Sequence, residues 1–248
     1  MGASALMLSV AGIAYADHSW GGYHWARTAN PLVLQLGNGV KTSAWLAALT
    51  TASNDWSASV VLDTNVVTSA VNPKNCKATV GRVEVCNSKY GNNGWLGIAQ
   101  VWVTGGEHIT QGTVKLNDTY FNTAKYNTVA WRALVVCQEI GHTLGLDHQD
   151  ETFSNTNLGT CMDYTNDPSS NQHPNQHDYD ELEAIYAHLD ATNTAKSTVT
   201  SSRASDVDVS ERAEWGREIR KDSRGNSSMY RHDLGNGEEV FTFVIWAE

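Results

Sequence analysis

The chain has 248 residues, of which 41% are hydrophobic, and a formal net charge of −10 at pH 7. This length suits one domain with an additional segment, and the apolar fraction suffices for a full hydrophobic core. The acidic balance leaves no basic stripe to neutralise phosphates, so a nucleic-acid partner is excluded. No apolar run is long enough to span a bilayer.

Residues 1–16 contain a short apolar stretch that ends in Ala14-Tyr15-Ala16, an A-x-A cleavage pattern. We predict a signal peptide here and therefore a secreted protein. The positively charged start of such a peptide is missing, because no Lys or Arg precedes Arg27. A buried N-terminal strand is the alternative interpretation.

Residues 17–190 are predicted to form one α+β domain. A strand over 33–40 precedes a helix with one apolar face, formed by Trp45, Ala48, Leu49, Ala52 and Trp56. Further β-rich segments are separated by Gly, Asn and Pro turns and predict a mixed sheet; they lie near 59–67, 78–85, 97–103 and 113–117.

Two more helices are predicted in this domain. The first covers about 124–144 and is apolar on several sides, so we expect it to be buried. The last helix begins with a capping-box-like pair, Asp178 and Glu181. Its predicted buried face consists of Leu182, Ile185, Tyr186 and Leu189.

The C-terminal part of the chain differs in composition. Residues 191–210 are rich in Thr, Ser, Ala and Asp, which predicts a linker. In the appendage 211–248, Gly235-Asn236-Gly237 separates two strand-like segments and predicts a β-hairpin. This hairpin is too small to fold alone. It either docks on the preceding domain or binds a partner that the sequence does not identify.

The chemistry of the chain is concentrated in residues 137–148. Gln138 and His142 are one helical turn apart, so both side chains leave one face of a helix and can meet one ion. Glu139 is rotated from that face and can reach a water at the ion without binding the ion itself. Gly145 can end the helix in a left-handed conformation, and His148 can then turn back as a third ligand. Three protein ligands leave one coordination position open, as in catalytic zinc sites.

These residues carry a family resemblance. Gln138, Glu139, His142, Gly145 and His148 have the spacing H-E-x-x-H-x-x-G-x-x-H of the metzincin zinc peptidases, with glutamine in place of the first histidine. The chain therefore resembles a metzincin, and the matrixin-like branch in particular, over residues 24–190. The resemblance implies a mixed, mainly parallel twisted sheet, an active-site helix, a Met-turn and a closing C-terminal helix.

The resemblance also implies further site features. Residues 160–164 resemble the Met-turn, in which Met162 forms an apolar floor under a Zn²⁺ ion. Tyr164, two positions later, is similar to a tyrosine that stabilises the oxyanion of the tetrahedral intermediate. An edge strand of the sheet, here 97–103, is expected to pair with an extended peptide substrate.

Two functions follow from this motif. The first is a secreted zinc endopeptidase in which water is activated at the metal and Glu139 is the general base. The second is a catalytically weak or inactive metzincin-like fold that binds peptides or proteins. Gln138 separates the two, because an amide oxygen is a poorer zinc ligand than imidazole. Glu139 favours the enzyme, because a buried carboxylate without a role is costly.

Four cysteines in an exported chain allow three pairings. Cys76 and Cys86 flank a strand-like segment and are predicted to close a hairpin. Cys137 and Cys161 each precede a site residue, and a bridge between them would tie the active-site helix to the Met-turn. In the chain-entropy model such a loop stabilises the fold by about 3 kcal/mol. Free buried thiols are the alternative.

The other histidines lack a partner at ligand spacing, so we predict structural roles for them. They are His18, His24, His108, His173, His177, His188 and His232.

Overall fold

A computed structural model describes residues 18–195, 209 and 211–247. The predicted signal peptide and most of the predicted linker lie outside these residues. Within the described part of the chain, no helix combines the length and apolar character that crossing a membrane requires.

Strands and helices follow one another in an α+β arrangement. The strands are β1 (His24–Trp25), β2 (Leu32–Gly39), β3 (Leu62–Thr68), β4 (Arg82–Ser88), β5 (Trp95–Thr104), β6 (His108–Asn117), β7 (Arg217–Lys221), β8 (Ser227–Gly235) and β9 (Glu238–Trp246). The helices are α1 (Ser43–Trp56), α2 (Asp118–Phe121), α3 (Val129–Thr143) and α4 (Gln176–Ile185). Each β-rich segment predicted from the sequence overlaps one of these strands; β1 and β7 were not predicted.

The described strands form one mixed sheet in the order β3-β2-β4-β6-β5-β9-β8-β7, with β1 beside β6. The pairs among β1, β2, β3, β4 and β6 are parallel, and the pairs that involve β5, β7, β8 and β9 are antiparallel. Within residues 17–190, for which a mainly parallel sheet was predicted, four of the five strand pairs described are parallel. The C-terminal strands extend this sheet with antiparallel pairs.

Helix α1 follows the predicted pattern. Thr42 caps it, because its side chain accepts a hydrogen bond from the Trp45 amide. Trp45, Leu49 and Trp56 are buried in the main hydrophobic cluster, as their 3–4-residue spacing predicts.

The C-terminal strands are part of the main core. In β9, Phe241, Phe243 and Ile245 enter the large hydrophobic cluster. The alternate residues Val240 and Val244 join a second cluster on the opposite face, which also contains Trp215. The predicted hairpin is present as β8 and β9, and it continues the sheet where a separate small appendage was predicted.

Helix α4 begins and ends earlier than predicted. Asn175 is the N-cap and Asp178 its capping-box partner, so Glu181 does not fill that role. Leu182 and Ile185 are buried as predicted. Leu189 lies beyond the helix and is 56% exposed, so its predicted burial is wrong.

Both predicted disulfides, Cys76–Cys86 and Cys137–Cys161, are present. The first does not close a hairpin. Cys76 lies in the loop before β4, and Cys86 lies within β4, whose sheet neighbours β2 and β6 both run parallel to it. The bridge therefore fastens a loop onto an internal strand.

Candidate metal centre

Helix α3 carries the motif and begins later than predicted, at Val129. The Thr128 side chain accepts a hydrogen bond from the Trp131 amide and caps the helix. At the other end, the indoles of Trp20 and Trp25 and the Tyr186 hydroxyl donate to the carbonyls of residues 142, 143 and 144. These bonds satisfy carbonyls that a helix end leaves unpaired, and they fix the position of the last turn.

Gly145 turns the chain after α3, as predicted. Its backbone angle φ is +106°, a value that residues other than glycine rarely adopt. A Cβ atom here would also lie 2.4 Å from the Tyr23 carbonyl oxygen. The turn allows His148 to return to the face of α3 that carries His142.

The two histidine rings meet through their Nε2 atoms, 3.0 Å apart. The Nδ1 atom of His142 is 2.9 Å from the Leu146 carbonyl oxygen, and that of His148 is 2.9 Å from Glu151 Oε1. A carbonyl or carboxylate oxygen only accepts, so both Nδ1 atoms donate and the Nε2 lone pairs face each other. Such an arrangement, with each second ring nitrogen held by an acceptor, is typical of metal-binding histidines.

The environment favours the neutral, metal-binding form of His142. Burial and the adjacent His148 ring hold the pKa of His142 well below its usual range. Burial opposes ionisation of Glu151 as well, but its hydrogen bond with His148 and the nearby Arg220 guanidinium outweigh this and lower the pKa of Glu151. A charged carboxylate thus supports the His148 ring.

The side-chain amide nitrogen and oxygen of Gln138 differ in their hydrogen bonding. The nitrogen donates to the Cys161 carbonyl oxygen over 2.9 Å. The oxygen is buried and has no hydrogen-bond partner among the described residues. It therefore remains available on the helical face that also carries His142. Two imidazole nitrogens that face each other and one unpaired amide oxygen are donor atoms of the kinds that can bind a zinc ion.

Glu139 lies against β5 and is 1% exposed. Neither carboxyl oxygen has a hydrogen-bond partner in the described structure. Burial raises the pKa of this carboxyl well above its usual range, and a backbone contact with Ala99 only partly opposes the shift. A Cβ atom at Gly97 would lie 2.7 Å from Glu139 Oε1, so the carboxyl needs a glycine opposite it. A carboxyl in this setting can accept and hold a proton.

Met162 lies beneath the helix that carries the motif. It is fully buried, and a Cβ atom added to Gly141 would be 2.5 Å from its sulfur atom. The Cys137–Cys161 disulfide holds this turn against α3. The Met162 carbonyl oxygen also accepts from the Gln149 amide over 2.7 Å, which links the turn to the residue after His148.

Tyr164 is also near the histidines. Its ring centroid is 4.3 Å from that of His148. Burial, with nearby carboxylates such as Glu151, raises the pKa of Tyr164 well above its usual range, so the hydroxyl keeps its proton. That hydroxyl donates to the Val244 carbonyl oxygen of β9 over 3.4 Å.

Strand β9 covers the centre. The Phe243 ring stacks on His142 with centroids 4.2 Å apart and ring planes 9° apart. β9 pairs with β5 in antiparallel orientation, so that Phe243 lies opposite Ala99. The prediction that 97–103 is a free edge strand is therefore wrong, because the chain's own C-terminal strand fills that edge. His142 and His148 are 1% and 8% exposed.

A second C-terminal contact lies at the other side of the centre. The Arg220 guanidinium in β7 forms an ion pair with Asp147 and lies 3.7 Å from Glu151. The C-terminal strands thus contact the ring of His142 and the carboxylate that supports His148.

Sequence patterns missed several of these partners. Glu151 follows His148 by three residues, and an acidic residue so close to a candidate ligand was a usable signal. Phe243 and Arg220 carried no such signal, because each meets the centre only through long-range strand pairing.

No family model matches the chain. No curated protein matches it either. Among solved structures, one of myroilysin has 13% sequence identity to this chain and a TM-score of 0.37; the match covers 65% of this chain and 82% of the myroilysin chain. A second structure of myroilysin has 12% identity and a TM-score of 0.35; the match covers 66% of this chain and 86% of the myroilysin chain. High choriolytic enzyme 1, a hatching enzyme zinc-protease from Oryzias latipes (Medaka fish), has 12% identity and a TM-score of 0.39, and covers 68% of this chain and 96% of its own. Similarity at this level does not establish a family for the chain.

Proposed function

We propose that the protein is a secreted zinc-dependent endopeptidase with Gln138, His142 and His148 as its metal ligands. The observation that carries this proposal is the convergence of two Nε2 lone pairs at 3.0 Å on the face that also holds the unpaired Gln138 oxygen. Two disulfides support an oxidising compartment, where such bonds persist.

Each residue has a distinct role in the proposed reaction. Zinc, when bound, supplies Lewis-acid polarisation of a water and of the scissile carbonyl. Glu139 accepts a proton from the attacking water and returns it to the leaving amine, which suits a carboxyl with a raised pKa. Tyr164 donates its hydroxyl hydrogen to the oxyanion once Val244 no longer accepts it. The β5 edge binds an extended peptide by main-chain hydrogen bonds.

This function requires β9 to leave β5. A peptide substrate and β9 compete for the same edge, and Phe243 covers the ring of a proposed ligand. We therefore propose a latent peptidase that is closed by its own C-terminal strand.

Closure also favours a second candidate, a peptide-binding module without catalysis. In that case β9 is a permanent part of the sheet, and Gln138 reflects a centre that no longer hydrolyses peptides.

Metal content and casein cleavage by matched variants separate the two. We expect Glu139→Gln to keep its zinc and lose turnover by a factor of about 10² or more. The exposed acidic residue Glu183 provides the control Glu183→Gln, which should match the wild type. We expect His142→Ala to lose one zinc per chain. If casein cleavage survives exhaustive chelation, the zinc mechanism is wrong; if cleavage is absent even after β9 is released, the proposal of a latent peptidase is wrong.

A further inference from the structure

Three histidines from separate parts of the chain surround one carboxylate, away from the centre described above. His24 lies in β1, His108 begins β6, and His188 follows α4. Their Nε2 atoms are 3.6, 3.3 and 3.3 Å from the same oxygen, Asp190 Oδ1. The donor atoms of His24, His108 and Asp190 all lie within 4.8 Å of one another. We predicted structural roles for these histidines because their sequence spacing gives no sign of the cluster.

His24 points a free lone pair into the cluster. Its Nδ1 atom is 2.8 Å from the Gly22 carbonyl oxygen and therefore donates to it. In the neutral ring this leaves a lone pair on Nε2. That atom is buried and has no hydrogen-bond partner among the described residues, and the residue is only 2% exposed. A buried acceptor without a partner is costly, so the cluster needs a positively charged or donating group at its centre.

The carboxylate is held in position for this group. Asp190 Oδ2 accepts a hydrogen bond from the Arg27 amide over 2.8 Å. The Asp190 amide in turn donates to the Arg27 carbonyl oxygen over 2.7 Å. Oδ1 is therefore directed toward the three histidines.

The distances match those of a tetrahedral metal site. Zinc binds imidazole nitrogen and carboxylate oxygen at about 2.0–2.2 Å, so two ligands of a tetrahedron lie about 3.4 Å apart. The three separations from Asp190 Oδ1 are close to this value. We infer a second zinc site formed by His24, His108 and Asp190, whose donor atoms lie within 4.8 Å of one another, and completed by His188, whose exposed side chain would turn toward them.

Hydrogen-bond geometry favours this site over a simple ion pair. One protonated histidine would balance the charge of Asp190, but His24 Nε2 lies 3.6 Å from Asp190 Oδ1, beyond hydrogen-bond distance. Three neutral histidines would leave Nε2 of His24 without a donor. One divalent cation satisfies all four donor atoms.

The ligand set indicates a structural site. Four protein donors complete a tetrahedron and leave no position for a substrate. The ion would fasten β1, the start of β6 and the chain after α4 to one another. His188 is 56% exposed, so the ion can enter from solvent on that side.

The test compares zinc per chain, after dialysis, in the full-length wild type, His188→Ala and the double variant His108→Ala/His188→Ala. We expect the double variant to hold one zinc less than the wild type. His188→Ala should bind this zinc at least about 10–100-fold more weakly. The result is the difference in zinc per chain between the wild type and each variant. It therefore does not depend on whether the Gln138 centre binds metal or cleaves peptides.

His173→Ala is the matched control. This residue is 58% exposed, close to the value for His188, and its Nδ1 atom also faces a carboxylate, 2.7 Å from Asp55. The control should keep the wild-type zinc content. As a second measurement, a chelator should lower the melting temperature of the wild type more than that of the double variant. The proposed site would be overturned if the wild type and the double variant had equal zinc content and showed equal changes of melting temperature with the chelator. It would also be overturned if His173→Ala lost as much zinc as the double variant.

Discussion

Removing the Phe243 ring should turn a latent peptidase into an active one. The ring is fully buried and stacked on His142. In the proposed open state, with β9 released from β5, it would be exposed to water. The change Phe243→Ala therefore weakens only the closed state. Truncating a buried phenylalanine costs about 3–5 kcal/mol. Because about 1.4 kcal/mol is a factor of ten, the open population should rise by about two to three and a half orders of magnitude or until it dominates.

Two assays follow this change in zinc-supplemented protein. Casein hydrolysis per chain should rise with the open population. Hydrogen exchange of the β5 amides that pair with β9 should accelerate in parallel, and it reports opening even if no peptide is cleaved. Phe121→Ala is the control: this ring is equally buried but packs against Trp45 and Tyr126. It should lower the melting temperature without raising activity.

A cross-link provides the opposite perturbation. Gln100 and Thr242 are direct partners in the antiparallel pair, on the face away from Phe243. Directly paired residues have Cα atoms about 4.5–5.5 Å apart, which a disulfide can bridge. With Gln100→Cys and Thr242→Cys, oxidation should suppress cleavage and reduction should restore it, whereas either single variant should not respond. Unchanged cleavage after oxidation, or no gain in Phe243→Ala despite faster β5 exchange, would refute closure by β9.

Three further variants test the centre itself. Gln138→His should tighten zinc binding by about 10–100-fold, measured by competition with a chelator, and unchanged affinity would show that this side chain does not face the metal. Gly97→Ala places a methyl group 2.7 Å from Glu139 Oε1, so it should lower the free energy of unfolding by about 1–3 kcal/mol and reduce turnover; wild-type values for both would contradict the close packing. Replacing Cys137 and Cys161 together by serine should lower the free energy of unfolding in urea by about 3 kcal/mol. A loss smaller than this in the zinc-bound protein would show that the bridge does not support the metal centre.

The local parts of the centre were predictable because they depend on short-range geometry. The one-turn separation of Gln138 and His142 places them on one helical face in any α-helix. Gly145 marks the helix end through its backbone freedom, and the turn residues 235–237 mark the hairpin through theirs. These features need no knowledge of the rest of the chain.

Long-range pairing was not predictable in the same way. Alternating apolar residues identify β9 as a strand, but they do not say which edge it joins, since many edges accept the same pattern. The error over the free edge at 97–103 has this cause. The cluster around Asp190 was missed for a similar reason, because three separate elements supply its histidines.

If β9 opens as proposed, its covalent link to the domain that it covers makes opening and closing a unimolecular equilibrium. A strand tethered in this way competes at an effective concentration in the millimolar range, independent of how much protein is present. Dilution therefore cannot open the site, and a weakly binding peptide at micromolar concentration displaces little of the strand. Cutting the chain between residues 195 and 211 would remove this advantage, since a released segment can diffuse away. One cleavage event, made by a second protease or by another copy of this chain, would then set the timing of activity.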